Sequence, residues 1–264
     1  MNIFFMRSQD NAEQKIARTD VKKYYMAQKK APLSVNGAHV AYLHYEALVL
    51  GVSVGRSLPI GKFASRDLNE DNSGCALNGY MLNANAALKI MDEFGFTVSY
   101  VYQFNRFDES AIAKAFNSAY PAGGFTSNAT AWKMRGSFFG FVINLSIKKI
   151  PGLSVKTEVK GGFPLFYQPE ISTSGTISGQ FISIDSEARP TRAPAFNGSV
   201  GLTYKFMRNI AFTADLDFFS AKPFFVGRHI TPSGYVQGYS YMQPYRTMTP
   251  RAGICFFLWH RKVE

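Results

Sequence analysis

From about residue 45 onward, apolar and polar residues alternate with a period of two, the spacing of a β-strand with two unlike faces. In the run 153–160, Leu153, Val155, Thr157 and Val159 oppose Ser154, Lys156, Glu158 and Lys160. Ile210, Phe212, Ala214, Leu216 and Phe218 oppose Ala211, Thr213, Asp215 and Asp217 in the same way. Phe94, Phe96, Val98, Tyr100 and Tyr102 oppose Gly95, Thr97, Ser99 and Gln103, and Val200, Leu202, Tyr204 and Phe206 oppose Ser199, Gly201, Thr203 and Lys205. Phe139, Phe141, Ile143, Leu145 and Ile147 form a fifth apolar face, against Gly140, Val142, Asn144 and Ser146. With the segments 45–58, 76–90 and 247–259, this predicts eight strands.

The connections carry as much information as the strands. Three are tight: Met91-Asp92-Glu93, Lys149-Ile150-Pro151-Gly152 and Met207-Arg208-Asn209. Four are long, near 59–75, 108–130, 168–192 and 223–244, and they alternate with the short ones from first strand to last. In an up-and-down barrel, that order puts every short turn at one rim, with both chain ends, and every long loop at the other. This is the asymmetry of transmembrane barrels with short periplasmic turns and long external loops.

Alternation alone does not say which face is inside, so a soluble barrel or sandwich shares the pattern. Strand length favours lipid outside, since soluble strands usually have about five or six residues and these are about twice that. Aromatics bracket the spans, and Tyr80, Tyr100, Tyr102, Trp132 and Trp259 are the expected interfacial girdle. The polar faces then line the lumen, where Lys156, Glu158, Lys160, Asp215, Asp217 and Arg251 are expected to form a charge network. An eight-stranded barrel is filled by its own side chains, so a salt-bridged core is expected over an ion pathway.

Three stretches, Leu48 to Phe63 (LVLGVSVGRSLPIGKF), Gly161 to Pro169 (GGFPLFYQP) and the closing Arg251 to Leu258, give the chain its resemblance to the small eight-stranded outer-membrane β-barrel proteins of Gram-negative bacteria. The resemblance covers residues 45–259 and is one of pattern. It implies an all-β, eight-stranded antiparallel up-and-down transmembrane β-barrel in the bacterial outer membrane, in contact with outer-membrane lipid and lipopolysaccharide. Members of these families usually end at an aromatic residue; here Trp259 is followed by His260-Arg261-Lys262-Val263-Glu264.

Composition adds limits. Of 264 residues 46% are hydrophobic and 18% charged, too apolar for a disordered chain, and two cysteines cannot build a disulfide scaffold. No stretch approaches the roughly 20 apolar residues of a membrane-spanning helix. The opening MNIFFMRSQDNAEQK holds too short an apolar patch for a signal-peptide core. The net charge of +11 raises nucleic acid as a partner, but no RNA-binding signature, zinc-finger spacing or basic-zipper pattern accompanies it, so no nucleic-acid partner is expected. Residues 1–44 differ in kind: polar and basic, with a helix expected from about Asn11 to Lys30, they form an N-terminal extension before the barrel domain at 45–264.

Candidate chemistry is sparse. His39 and His44 are five residues apart and point to opposite faces of a strand, which is wrong for a shared metal. His229, in the last long loop, is the histidine best placed for catalysis, with no sequence-near carboxylate that stands out. Cys75 and Cys255 fall near opposite rims and are not expected to pair. No cofactor, metal or enzymatic activity is expected. The expected role is that of a barrel working through loops and rim: an accessory subunit beside other outer-membrane or periplasmic proteins, a receptor or adhesin, or an envelope-stabilising protein. A small-solute or hydrophobic-ligand channel, porin-like in use, is the second reading, and a lipid-modifying barrel enzyme the third.

Overall fold

The computed structural model describes residues 45–68, 70–91, 93–231 and 235–261, with side chains described for 48–258 within those ranges. The extension 1–44 with its expected helix, His39 and His44, and the side chains of Trp259 and His260 lie outside the described residues. In chain order the strands are β1 (Tyr45–Pro59), β2 (Ala76–Lys89), β3 (Phe94–Phe107), β4 (Thr126–Ala129), β5 (Trp132–Ser146), β6 (Leu153–Gly162), β7 (Leu165–Tyr167) and β8 (Ile171–Ile177). There follow β9 (Gln180–Ala188), β10 (Thr191–Arg192), β11 (Ala195–Met207), β12 (Ile210–Ala221), β13 (Phe224–Ile230), β14 (Val236–Met242) and β15 (Tyr245–Arg261). A helix, α1 (Glu109–Ala119), lies between β3 and β4.

Eight long strands, β1, β2, β3, β5, β6, β11, β12 and β15, pair antiparallel with their sequence neighbours. β15 returns to β1 through pairs such as Gly51↔Cys255, closing the barrel. Followed around the wall from Gly51, the register runs through Asn85, Ser99, Phe138, Gly162, Ala195 and Ala221 to Tyr245. It thus reaches β15 at Tyr245 instead of Cys255, and that stagger is the strand tilt a closed barrel requires. The eight strands are those the alternation predicts.

Parity decides the faces. On β3, Phe96, Val98 and Tyr100 are exposed while Thr97, Ser99 and Gln103 are buried; on β12, Phe212 and Leu216 are exposed while Asp215 and Asp217 are buried. Val52 is 57% exposed and Phe139 65%, an exposure that water disfavours for a whole belt of such residues. Polar groups inside and apolar ones outside reverse the plan of a soluble barrel, and this is the plan of a transmembrane β-barrel.

At the short-turn end the chain reverses with few residues. Ile90 and Met91 N–H groups both donate to Phe94 O at 3.0 Å, and Arg208-Asn209 alone join β11 to β12. The turn before β6 needs Gly152 at φ +82°, where an L side chain is strained, and its carbonyl accepts from Lys205 N–H at 2.8 Å.

The long loops are more ordered than their polar composition suggests. β8 and β9 form a hairpin around Ser178 (φ +53°) and Gly179 (φ +81°), the left-handed pair of a tight I′ turn. Ile177, Phe181, Ile182 and Ile184 lie in this hairpin, beyond the barrel wall. β13 and β14 form a second hairpin, and with β4 these strands make a five-stranded sheet in the order β14-β13-β9-β8-β4. The helix α1 corrects the reading of 108–130 as plain loop: its alanine-rich run favours helix. Asn117 holds its far end by accepting from Phe125 N–H (2.7 Å) and donating to Phe125 O (2.9 Å).

Candidate functional site

Three layers of side chains fill the lumen. Toward the short turns, Val49, Ala87, Val142, Ala211, Cys255 and Phe257 form an apolar cluster. Above it lie the six charged residues singled out by alternation, because β6, β12 and β15 turn their charged parity inward. Lys160 Nζ sits 2.7 Å from Glu158 Oε2, and Lys156 Nζ 3.1 Å from Asp215 Oδ1 and 3.5 Å from Glu158 Oε1. Arg251 Nη2 reaches Glu158 Oε2 at 3.4 Å and Asp215 Oδ2 at 3.3 Å. Its Nε lies 3.1 Å from Asp217 Oδ1, close in charge but not aligned as a hydrogen bond. Ser199 Oγ donates to Glu158 Oε2, and Arg251 Nη1 to Ser53 Oγ.

Three cations thus face three carboxylates, the balance that a low-dielectric interior demands. Space for their long side chains comes from missing ones nearby. A Cβ on Gly201 would overlap Asp215 Oδ1, and one on Gly55 would stand 2.7 Å from Arg251 Cβ.

The third layer, toward the long loops, is aromatic: Phe63, Trp132, Phe138, Phe166, Phe219 and Tyr245 belong to one buried cluster. The first long loop makes a 3-10 turn at Gly61–Phe63 that drives Phe63 into the barrel against Tyr245, with ring centres 4.1 Å apart. Beneath Tyr245, Gln103 Nε2 donates to Ser57 Oγ (2.9 Å) and Thr247 Oγ1 (3.2 Å), and Ser57 Oγ donates to Asn105 Oδ1 (3.1 Å).

The expected girdle is only partly outside. Tyr80 and Tyr100 are outward and exposed, and Tyr102 is outward and half-buried. Trp132 corrects the expectation: it is 2% exposed, its Nε1–H donates to Gly74 O at 2.9 Å, and it packs edge-on to Phe63. Its strand already held the signal. With Phe139 and Phe141 outward on β5, period two carries Trp132, Met134 and Phe138 inward. Phe63 and Tyr245 had no such signal, since Phe63 lies in a loop and Tyr245 starts its strand.

His229 lies on β13 in the loop sheet, stacked on Tyr239 with ring centres 4.5 Å apart. The Tyr239 hydroxyl is the hub there, 3.0 Å from Gln168 Nε2 and 3.0 Å from Ser186 Oγ. These residues line a cleft of about 410 Å³ above the rim, with Glu70 and Cys75 on its other side. His229 Nδ1 is buried without a hydrogen-bond partner among the described residues, and burial pulls the imidazole's pKa below its ordinary value. Burial raises that of the Cys75 thiol, which opposes a reactive thiolate. Cys75 and Cys255 are free, and no group of three metal-ligating side chains occurs among the described residues.

The His229 shift has a pH consequence. A histidine held below its unfolded value favours the folded state above about pH 6.5, and that contribution falls away on acidification. Protection factors at the β9–β13 amides, referred to the intrinsic exchange rate at each pH, are therefore expected to fall from pH 7 to pH 5, and to fall less in His229→Phe. Equal slopes in both proteins would refute it.

No family model matches the chain, and no curated protein matches its sequence. Solved structures do. Over 80% of its length the chain is similar to a major outer membrane protein from Thermus thermophilus, at 13% identity, 99% coverage of that chain and a TM-score of 0.49. Over 81% it is similar to Neisserial surface protein A (11% identity, 99% of that chain, TM-score 0.43). It is similar over the same share to the outer membrane protease OmpT from Escherichia coli (7% identity, 98% of that chain, TM-score 0.42). At these identities the likeness is one of fold.

Proposed function

We propose that this protein is a closed, non-conducting β-barrel of the bacterial outer membrane whose work is done by its folded external loops. The carrying observation is the three-layered lumen: an apolar cluster, a neutral charge layer and an aromatic cluster follow one another along the axis. A barrel filled this way anchors the chain and leaves recognition to what stands above the rim. The loop sheet suits that task, because it is hydrogen-bonded through four strand pairings and exposes Phe181, Val226 and Val236 to solvent. Exposed apolar groups on an ordered sheet favour a protein partner, as for a receptor, an adhesin or an accessory subunit.

Planar-bilayer recording of the folded full-length chain tests the closed lumen. Insertion without resolved single-channel steps is the expected result. Steady steps would overturn this reading in favour of a small-solute channel.

A further inference from the structure

The outward wall of the barrel is notched near its long-loop end. β7 continues the register of β6 on β5, from Phe138↔Gly162 to Arg135↔Leu165, across an unpaired Phe163-Pro164. On the other side, Arg192↔Leu165 continues Ala195↔Gly162 across an unpaired Ala193-Pro194. Neither proline has an N–H for the ladder, and Gly161, outward by the parity of β6, brings no side chain to cover the break. The result is a groove of about 690 Å³ on the lipid-facing side, walled by Tyr100, Phe139, Phe163 and Pro194, with Arg135 and Arg192 at its long-loop end.

The two guanidinium groups carry charge that nothing described in the protein neutralises. Arg135 stands over the Tyr167 ring at 5.4 Å, and Arg192 Nη1 donates to Phe163 O at 3.3 Å; neither is ion-paired among the described residues. With Arg56, Arg106, Lys133 and Arg246 they make an outward, exposed basic band at this end of the wall. Among the residues with described side chains, no outward position of the eight barrel strands carries Asp or Glu. An apolar trough ending in paired arginines at headgroup height is complementary to a phosphorylated amphiphile. Planar guanidinium forks match phosphate oxygens two at a time.

We propose that this groove holds one phosphorylated diacyl lipid, its phosphate between Arg135 and Arg192 and an acyl chain along Phe139 and Gly161. The assignment rests on the membrane reading above. Gly161 supplies a clean probe, because a Cβ there meets only Ala195 O at 3.9 Å, so Gly161→Trp fills the trough without forcing the backbone.

The test is native mass spectrometry of the folded full-length chain released from neutral detergent, with dioleoyl phosphatidic acid, dioleoyl phosphatidylcholine or inorganic phosphate added. Phosphatidic acid is expected to be retained about tenfold over phosphatidylcholine, and about tenfold less by Arg135→Ala/Arg192→Ala and by Gly161→Trp. Millimolar inorganic phosphate is expected not to displace it. Equal retention of both lipids, unchanged retention in the variants, or displacement by inorganic phosphate would each overturn the proposal. A heat-shifted gel band in every variant, with no lipid selectivity, would sink the groove and leave the membrane barrel standing. A chain that stays in solution without detergent would sink both.

Discussion

Glu158→Gln is expected to lower the unfolding free energy of the barrel by about 3 to 5 kcal/mol, the scale for breaking a buried ion pair by removing one partner. Glu158 is 1% exposed and touches Lys160, Lys156, Arg251 and Ser199. The amide would leave three buried cations facing Asp215 and Asp217 alone. The second substitution Lys160→Met, added to Glu158→Gln, restores neutrality and is expected to recover part of the loss. Urea unfolding of the protein folded into lipid vesicles, followed by tryptophan fluorescence, reads both. A control sits on the loop surface, where Lys62 and Glu70 lie 3.6 Å apart, both half-exposed, and Glu70 accepts from Ser65 Oγ, a bond its amide can still accept. Glu70→Gln should change stability by less than about 1 kcal/mol, as exposed pairs do. A similarly small loss for Glu158→Gln would mean that water screens the charge layer.

Tyr245→Ala is expected to cost about 3 to 5 kcal/mol, as large-to-small changes at buried aromatics do. The Tyr245 ring is fully buried, with the Phe166 ring 5.3 Å away and the Phe219 ring 5.7 Å away, besides its contact with Phe63. Its hydroxyl accepts from Gln103 Nε2 and donates to Asn105 Oδ1, both at 3.3 Å. Tyr245→Phe keeps the ring and leaves Gln103 with Ser57 and Thr247, so its cost should be nearer 1 kcal/mol. The two substitutions separate packing from hydrogen bonding in the same unfolding assay. In planar bilayers Tyr245→Ala is still expected to show no steps, because the charge layer and the inner apolar cluster continue to fill the axis. Conductance in that variant would place the whole seal in the aromatic layer.

The alternation along 94–103, 153–160 and 210–218 determined by itself the strands, their number and which residues share a face, because side-chain direction in a strand follows from period two and needs no partner. The short and long connections likewise determined which rim each loop occupies. From the same parity came the grouping of Lys156, Glu158, Lys160, Asp215, Asp217 and Arg251. Which face was inside, and which ion met which, was decided only by closure, since register across strands far apart in sequence brings Lys156 to Asp215 and Arg251 to Glu158. Trp132 shows the boundary between the two. Its strand's parity already pointed it inward, yet the space it fills exists only because Phe63 and Tyr245 arrive from a loop and from the opposite wall. The loop sheet and the groove at Phe163-Pro164 are likewise products of tertiary structure. Each joins residues from separate connections or strands, and local preference cannot choose between pairings whose partners lie tens of residues apart.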